Sequence, residues 1–432
     1  MIEVLRGLLG IAVLVGLAWA MSSHKGRFPW RVVAWGFGLQ LALAGVVLGT
    51  GWGERVLRGA AEGVAEFVKL NTMGASTVFG GLAAGGEGPA GFIFAFAATG
   101  LVVIIPFAAL VGLLYHVGLM QVVIWLMARA MMVTMGVSGA EAMAMAANLF
   151  VGQTEAPLAV KPYLAGMTQS ELMAMMTGGF ATVAGSVLVV YMGVLGGEIG
   201  PHLLTASVLS APAALAIAKV VMPEAGTPET AGRVELRVRR TANNAIEAAA
   251  NGTTDGLKLY LNVLAMLVAF TFLIQFLNAG LGLAAGGVNA TAVWVNLGPL
   301  LPADLSIEMI LGVLLAPVAW AIGVESWHDA RLVGSLIGVK LTTNEFVAFA
   351  VMDGYLNPAD GARGFDSERS AKLAAYALCG FANFASIGIQ IGGISPLAPE
   401  RKTELSRLAL RAMLGGAMAS AATAAVAGMF LR

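Results

Sequence analysis

Eight stretches, each close to twenty or more residues long and mostly free of charge, constrain what this chain can fold into: 7–22, 33–50, 91–118, 168–196, 200–222, 258–282, 370–395 and 406–430. Crossing a bilayer as a helix takes roughly 20 apolar residues, so each stretch is a candidate span. Of 432 residues 58% are hydrophobic and 12% charged, with a mean hydropathy of +0.82. Soluble domains hold about 45–50% apolar and about 25% charged residues. The pattern predicts an all-α, multi-pass integral membrane protein.

Formal net charge is zero, which gives no sign of a nucleic-acid or acidic partner. Position is more informative than sum. Lys25, Arg27 and Arg31 follow the first stretch, Arg233, Arg237, Arg239, Arg240 and Lys258 mark the long polar connector, and Arg401, Lys402, Arg407 and Arg411 lead into the last stretch. Placing both termini outside puts all three basic clusters on the cytoplasmic side of a cytoplasmic membrane, as the positive-inside rule requires. Ala18-Trp19-Ala20 has the look of a signal-peptidase site, but the basic loop after it works as a topology anchor, so the first stretch is expected to remain. Cys379 is the one cysteine, which excludes an intrachain disulfide and a cysteine-rich metal site. His24, His116, His202 and His328 are scattered and read as structural or interfacial.

The chain repeats itself. MGVSGAEAMAMAANLFVGQTEAPL at 135–158 has an echo in IGVESWHDARLVGSLIGVKLTTNEFVAF at 322–349, with Glu141-Ala142 over Asp329-Ala330 and Gln153-Thr154-Glu155 over Thr343-Asn344-Glu345. LMAMMTGGFATVAGS at 172–186 lies ungapped over LAAYALCGFANFASI at 373–387, pairing Gly179 with Gly380, Phe180 with Phe381 and Thr182 with Asn383. Three stretches separate the halves, so the repeats take opposite orientations, an arrangement typical of secondary transporters that bind substrate near the midplane.

Segments before and after each polar knot are too short to cross a bilayer. Residues 138–165 and 326–356 are therefore expected to form re-entrant helix-turn-helix hairpins. Pro157 suits the first turn of a second half-helix, with Thr154 or Glu155 at its N-cap. Carboxylates at membrane depth are costly and mark functional sites by default, so Glu155 and Glu345 at matched tips predict one shared polar site. An acid/base pair in an intramembrane enzyme remains open at this point, although no metal constellation or nucleophile-base arrangement accompanies it.

The motifs GQTEAPL, NEFVAF and GFANFASIGIQIGGISPLAPERK resemble the signatures of the concentrative nucleoside transporter family, in family order over roughly residues 91–430. The resemblance implies an ion-coupled nucleoside importer, a homotrimer in membrane lipid whose scaffold helices surround elevator-like transport domains. It implies nucleobase contacts at Gln153, Thr154 and Glu155, with Val187 lining the base pocket. Glu345, Asn383 and Ser386 would hold the ribose hydroxyls, and Phe381 would pack on the nucleoside. The family's sodium site maps to the side chains of Asn148 and Thr182 and the carbonyls of Val151 and Val183. Thr182 stands where serine is frequent, which leaves proton coupling, or a proton-coupled nucleobase carrier, open.

The expected division is scaffold helices at 1–118, a first transport repeat at 119–222 opening with an interfacial helix, and a cytoplasmic connector at 223–257. A scaffold helix and external loop follow at 258–304, and a second repeat at 305–432 again opens with an interfacial helix. Residues 80–91 are read as an external loop, because their glycines lack the setting and the Lys-Ser/Thr pair of a phosphate loop. Residues 241–256 are read as a separate interfacial helix.

Overall fold

The computed structural model describes residues 2–79, 101–195, 199–232, 242–294, 301–302, 305–358 and 363–431, and all regular structure among them is helical. Six helices are long and apolar enough to cross a membrane, or seven if one bent pair counts as a span. That is fewer than the eight stretches of the sequence, for two reasons. Residues 91–100 lie outside the described residues, as does the loop at 80–91, and the stretch at 370–395 is not one helix.

Helices α1 (Ile2–Ala20) and α2 (Trp30–Gly49) match the first two stretches, and α3 (Gly51–Phe79) is a long helix that hydropathy did not reveal. The bent pair is α4 (Ile104–Val117) and α5 (Leu119–Met135), which meet at 78°.

Hairpin 1 opens with α6 (Gly139–Asn148), started by a capping box in which the Ser138 side chain accepts from the Glu141 amide and Glu141 accepts from the Ser138 amide. Its second arm, Ala156–Tyr163, is a 3-10 helix rather than the expected α-helix. Pro162, inside the arm, lacks the amide donor that an α-helix would use there. Hairpin 2 pairs α12 (Trp327–Thr342) with α13 (Glu345–Leu356) across a two-residue turn, and Asn344 caps the second arm by accepting from the Val347 amide.

After each hairpin comes a broken helix. The first is α7 (Gln169–Ala181) followed by α8 (Gly185–Leu195), the second α14 (Glu368–Leu378) followed by α15 (Phe384–Ile394). The two breaks, 182–184 and 379–383, overlap when the repeats are aligned as in the sequence. Helix α9 (Gly200–Val221) follows the first, and α16 (Lys402–Gly428) the second.

Helix α16 spans about 40 Å at the usual helical rise, and the two hairpin bases sit at its opposite ends. At its start Arg401 donates to the Ala165 carbonyl at 2.7 Å, at the foot of hairpin 1. At its finish Arg369 donates to the carbonyls of Gly428 at 2.7 Å and Gly323 at 2.9 Å, the latter at the foot of hairpin 2. The hairpins thus enter from opposite ends. The loop holding Lys25, Arg27 and Arg31 shares the hairpin 1 end: Ser23 donates to the Val221 carbonyl at 3.0 Å and Arg31 to that of Val133 at 3.2 Å.

One expectation needs correction. Residues 241–256 and 258–282 are not separate elements, because α10 (Ala245–Trp294) is one continuous helix of 50 residues. It packs along α4 so closely that a Cβ on Gly252 would strike the Ala108 carbonyl. Helices α1 and α2 pack on α9 and α16, and the buried Gln40 of α2 donates to the Leu209 carbonyl at 3.0 Å and to Thr423 at 2.9 Å. Both bonds come from its NH2, which offsets the cost of burying that end of the amide. Helix α11 (Ile307–Ala321) packs along α12.

Candidate functional site

Helix α15 carries the centre of the site. Asn383 is its N-cap, with Oδ1 accepting from the Ser386 amide at 2.8 Å. Residues 383, 386 and 390 follow at steps of three and four, so they share a face. From one end of this face Asn383 Nδ2 donates to Glu345 Oε2 on hairpin 2 at 3.0 Å. From the other, Gln390 Nε2 donates to Gln153 Oε1 at the tip of hairpin 1 at 3.4 Å and to the Met176 carbonyl of α7 at 3.0 Å. A single helix face therefore ties together both hairpin tips.

Glu345 is 5% exposed and holds two charge-assisted hydrogen bonds, the second from Tyr191 at 2.7 Å. The Tyr191 ring is itself fixed against Phe349, centroid to centroid 4.7 Å. Ser386 and Val187 are buried, and Phe381 is half-buried. Thr154 lies under Gly393, where a Cβ would collide with its methyl group. Glu155 is exposed at the N-cap of the 3-10 arm, and its side chain makes no capping hydrogen bond. The carboxylates thus differ: Glu345 sits inside the hydrogen-bonded cluster and Glu155 outside it.

A second cradle joins the hairpin 1 tip to the break after α7. The Thr182 hydroxyl donates to the Asn148 carbonyl at 3.0 Å and to that of Gly178 at 2.8 Å, and the Gly185 amide donates to the Phe150 carbonyl at 3.3 Å. Asn148 Nδ2 reaches the Met175 carbonyl at 3.4 Å, whereas Asn148 Oδ1, buried beside it, makes no hydrogen bond among the described residues.

Three models of known families match in order: "Na+ dependent nucleoside transporter N-terminus" over residues 9–82, "Nucleoside recognition" over 97–198 and "Na+ dependent nucleoside transporter C-terminus" over 202–428. The chain belongs to the Na+ dependent nucleoside transporter family. It is 40% identical to human sodium/nucleoside cotransporter 1 across 99% of its own length, which spans 64% of that protein. An uncharacterised transporter of Haemophilus influenzae is 39% identical, with 99% of this chain and 98% of the relative aligned. Among solved structures, CNTnw in an inward-facing substrate-bound state superposes with a TM-score of 0.85 at 37% identity, covering 99% of this chain and 98% of that one. An outward-facing form of CNTnw also superposes at 0.85, at 36% identity, covering 100% and 98%. The family is one of transporters and not of enzymes, which removes the acid/base reading of Glu155 and Glu345.

Membership in the sodium-dependent family calls for a cation site, and the donor set in the second cradle fits one. Hard cations take oxygen ligands. The Asn148 Oδ1 atom is a buried acceptor lacking a donor, the situation that a cation relieves. Thr182 gives its hydrogen to carbonyls, which turns lone pairs outward. One other cluster has ligand chemistry, with atoms of His328, Asp329 and Asp366 within 4.8 Å of one another. There the Arg363 guanidinium already pairs with Asp366 at 2.8 Å and supplies the positive charge.

Sequence reading missed Tyr191 and Gln390. A signal for both was present, since each stands four residues beyond a residue that had been singled out, Val187 and Ser386. On a helix that is one turn further along the same face.

Proposed function

We propose that this transporter takes up nucleosides across the cytoplasmic membrane, driven by sodium, with N-terminus outside and the basic loops inside. The carrying observation is the α15 face that bonds to Glu345 of one hairpin and Gln153 of the other. A nucleoside has two chemically different halves to match. Its vicinal ribose hydroxyls are donors for a carboxylate, held by Glu345 with Asn383 and Ser386. Its base meets Gln153, Thr154 and Glu155, lined by Val187, with Phe381 packing on the ligand.

Sodium would be held by the side chains of Asn148 and Thr182 and the carbonyls of Val151 and Val183, and its positive charge would satisfy the orphan oxygen. It is favoured over a proton as the coupling ion because the orphan acceptor is a neutral amide, which has no proton to carry. By pinning the hairpin 1 tip to the break after α7, the same residues would order Gln153 for substrate, so ion and nucleoside bind with mutual benefit.

The packing supports an elevator in which α1, α2, both hairpins, the broken helices, α9 and α16 move together against α4 and α10. Phe272, Phe276 and Leu283 expose an apolar face of α10 at 65%, 66% and 80%, suited to lipid and to the neighbouring subunits of a homotrimer. The test is radiolabelled uridine uptake by proteoliposomes under an inward sodium gradient. Accumulation of unchanged uridine supports the proposal. Uptake that ignores sodium and follows an imposed pH gradient overturns the coupling ion, and uptake of free uracil as fast as uridine overturns the ribose site.

A further inference from the structure

Gln390 is 1% exposed and bridges three elements, α15, α7 and the tip of hairpin 1. Its orientation is forced. The Met176 carbonyl can only accept, so the Gln390 amide must direct its NH2 toward Met176, at 3.0 Å. The same NH2 faces Gln153 Oε1 at 3.4 Å. Turning Gln390 over would set its oxygen against two other oxygens, which explains why Oε1 stays buried without a hydrogen bond among the described residues. Gly179 provides the room, since a Cβ there would lie 2.6 Å from Gln390 Nε2 and 2.8 Å from the Gln153 Cβ.

Hydrogen-bond polarity therefore passes along a chain that begins at a fixed backbone carbonyl. Met176 accepts, Gln390 donates, Gln153 accepts through its oxygen, and the Gln153 NH2 is left to point away from Gln390. We infer that Gln390 is a specificity-positioning residue, which holds the Gln153 amide with its NH2 toward the bound base. The site then favours a nucleobase that presents a carbonyl acceptor at that edge over one that presents an amine. This rests on the reading that Gln153 meets the base. A site with a fixed donor rejects the wrong edge strongly, because two donors face each other and neither can be matched.

Uridine and cytidine differ in this way, carbonyl against amine at one ring position, and inosine and adenosine make the same exchange. The experiment measures the uridine-to-cytidine uptake ratio in one proteoliposome preparation, so the amount of folded protein cancels. In Gln390→Glu, the introduced carboxylate accepts, the Gln153 amide turns over, and the ratio shifts toward cytidine by about tenfold. Gln390→Leu frees the amide and moves the ratio part of the way. Both shifts vanish when Gln153→Ala is added. If neither Gln390 variant moves the ratio while Gln153→Ala does, the positioning role is overturned and the base contact stands. A ratio indifferent to Gln153→Ala as well removes the base contact, and the inference with it.

Discussion

The amide of Phe381 donates to the carbonyl of Thr182 at 3.3 Å, so the two broken helices meet at their breaks. A helix end at membrane depth leaves backbone groups that lipid cannot satisfy, and such ends survive only when buried in protein or facing a polar cavity. Here each break partly satisfies the other. Ser420 of α16 contributes by donating to the Cys379 carbonyl at 2.7 Å.

Gly380 permits this crossing. Its φ is +140°, and a Cβ would lie 2.8 Å from the Phe180 carbonyl oxygen and 2.9 Å from that of Ala181. Gly380→Ala should cost about 1–3 kcal/mol, through backbone strain and overpacking against atoms that cannot move aside. The check is the melting temperature of the purified protein in detergent, and an unchanged melt would contradict the crossing.

Tyr191→Phe keeps the packing against Phe349 and removes the hydroxyl donated to Glu345. A hydrogen bond to a charged group contributes about 1.5–3 kcal/mol, so the KM for uridine should rise roughly ten- to hundredfold. Glu345→Gln should weaken uptake further, and Asn383→Ala and Ser386→Ala less. Kinetics of labelled uridine uptake decide this, and a Tyr191→Phe protein with wild-type KM would detach Glu345 from the substrate.

For the coupling ion, replacing sodium with choline at fixed pH should abolish concentrative uptake. Asn148→Ala should raise the half-maximal sodium concentration by removing the orphan ligand oxygen. Thr182→Ser should behave nearly as wild type because it keeps the hydroxyl, whereas Thr182→Ala loses both the ligand and the tether to the Asn148 carbonyl. Sodium titrations of initial rate separate these outcomes.

At the foot of hairpin 1, Lys219 reaches Glu141 at 2.6 Å, with side chains 5% and 1% exposed. Breaking a buried pair strands a charge, so Lys219→Met should destabilise by about 3–5 kcal/mol. Adding Glu141→Gln should restore much of the loss, because the fully buried partner is then neutral and the other, Glu224 at 3.3 Å, is partly exposed. Denaturation of the two singles and the double measures the coupling, and simple additivity would argue against a direct pair.

Cys379 is buried, so a Cys379→Ser background suits single-cysteine labelling. Cysteines placed at 165 or 166 and at 363 or 366 should react with impermeant reagent from opposite sides of sealed vesicles. Labelling of both from one side would refute opposed hairpins.

What the sequence disclosed followed from local chemistry. Both hairpins were legible because a polar knot interrupts apolar segments too short to cross, and the broken helices were foreshadowed by the ungapped match of 172–186 with 373–387. Helix α3 was hidden because Arg55, Arg58, Glu62, Glu66 and Lys69 make it amphipathic, and a search for apolar runs passes over such a helix. Continuity of α10 was hidden by its change from polar to apolar composition near Leu257, although nothing there stops a helix. The division of the chain into bodies was beyond reach. That α1 and α2 pack on α9 and α16 depends on partners hundreds of residues away.

That packing also bears on how the protein is made. Gly10 of α1 lies so close to the chain after α11 that a Cβ would sit 2.7 Å from the Ala321 carbonyl oxygen, and Gly7 abuts Met429 just past the end of α16. Helix α1 therefore docks against residues that are synthesised some three to four hundred positions after it. Until those residues arrive, α1 waits in the bilayer with its glycine face uncovered. Insertion can proceed helix by helix, but this packing must wait until α16 has been made, and a truncation before α16 would leave α1 without its partner.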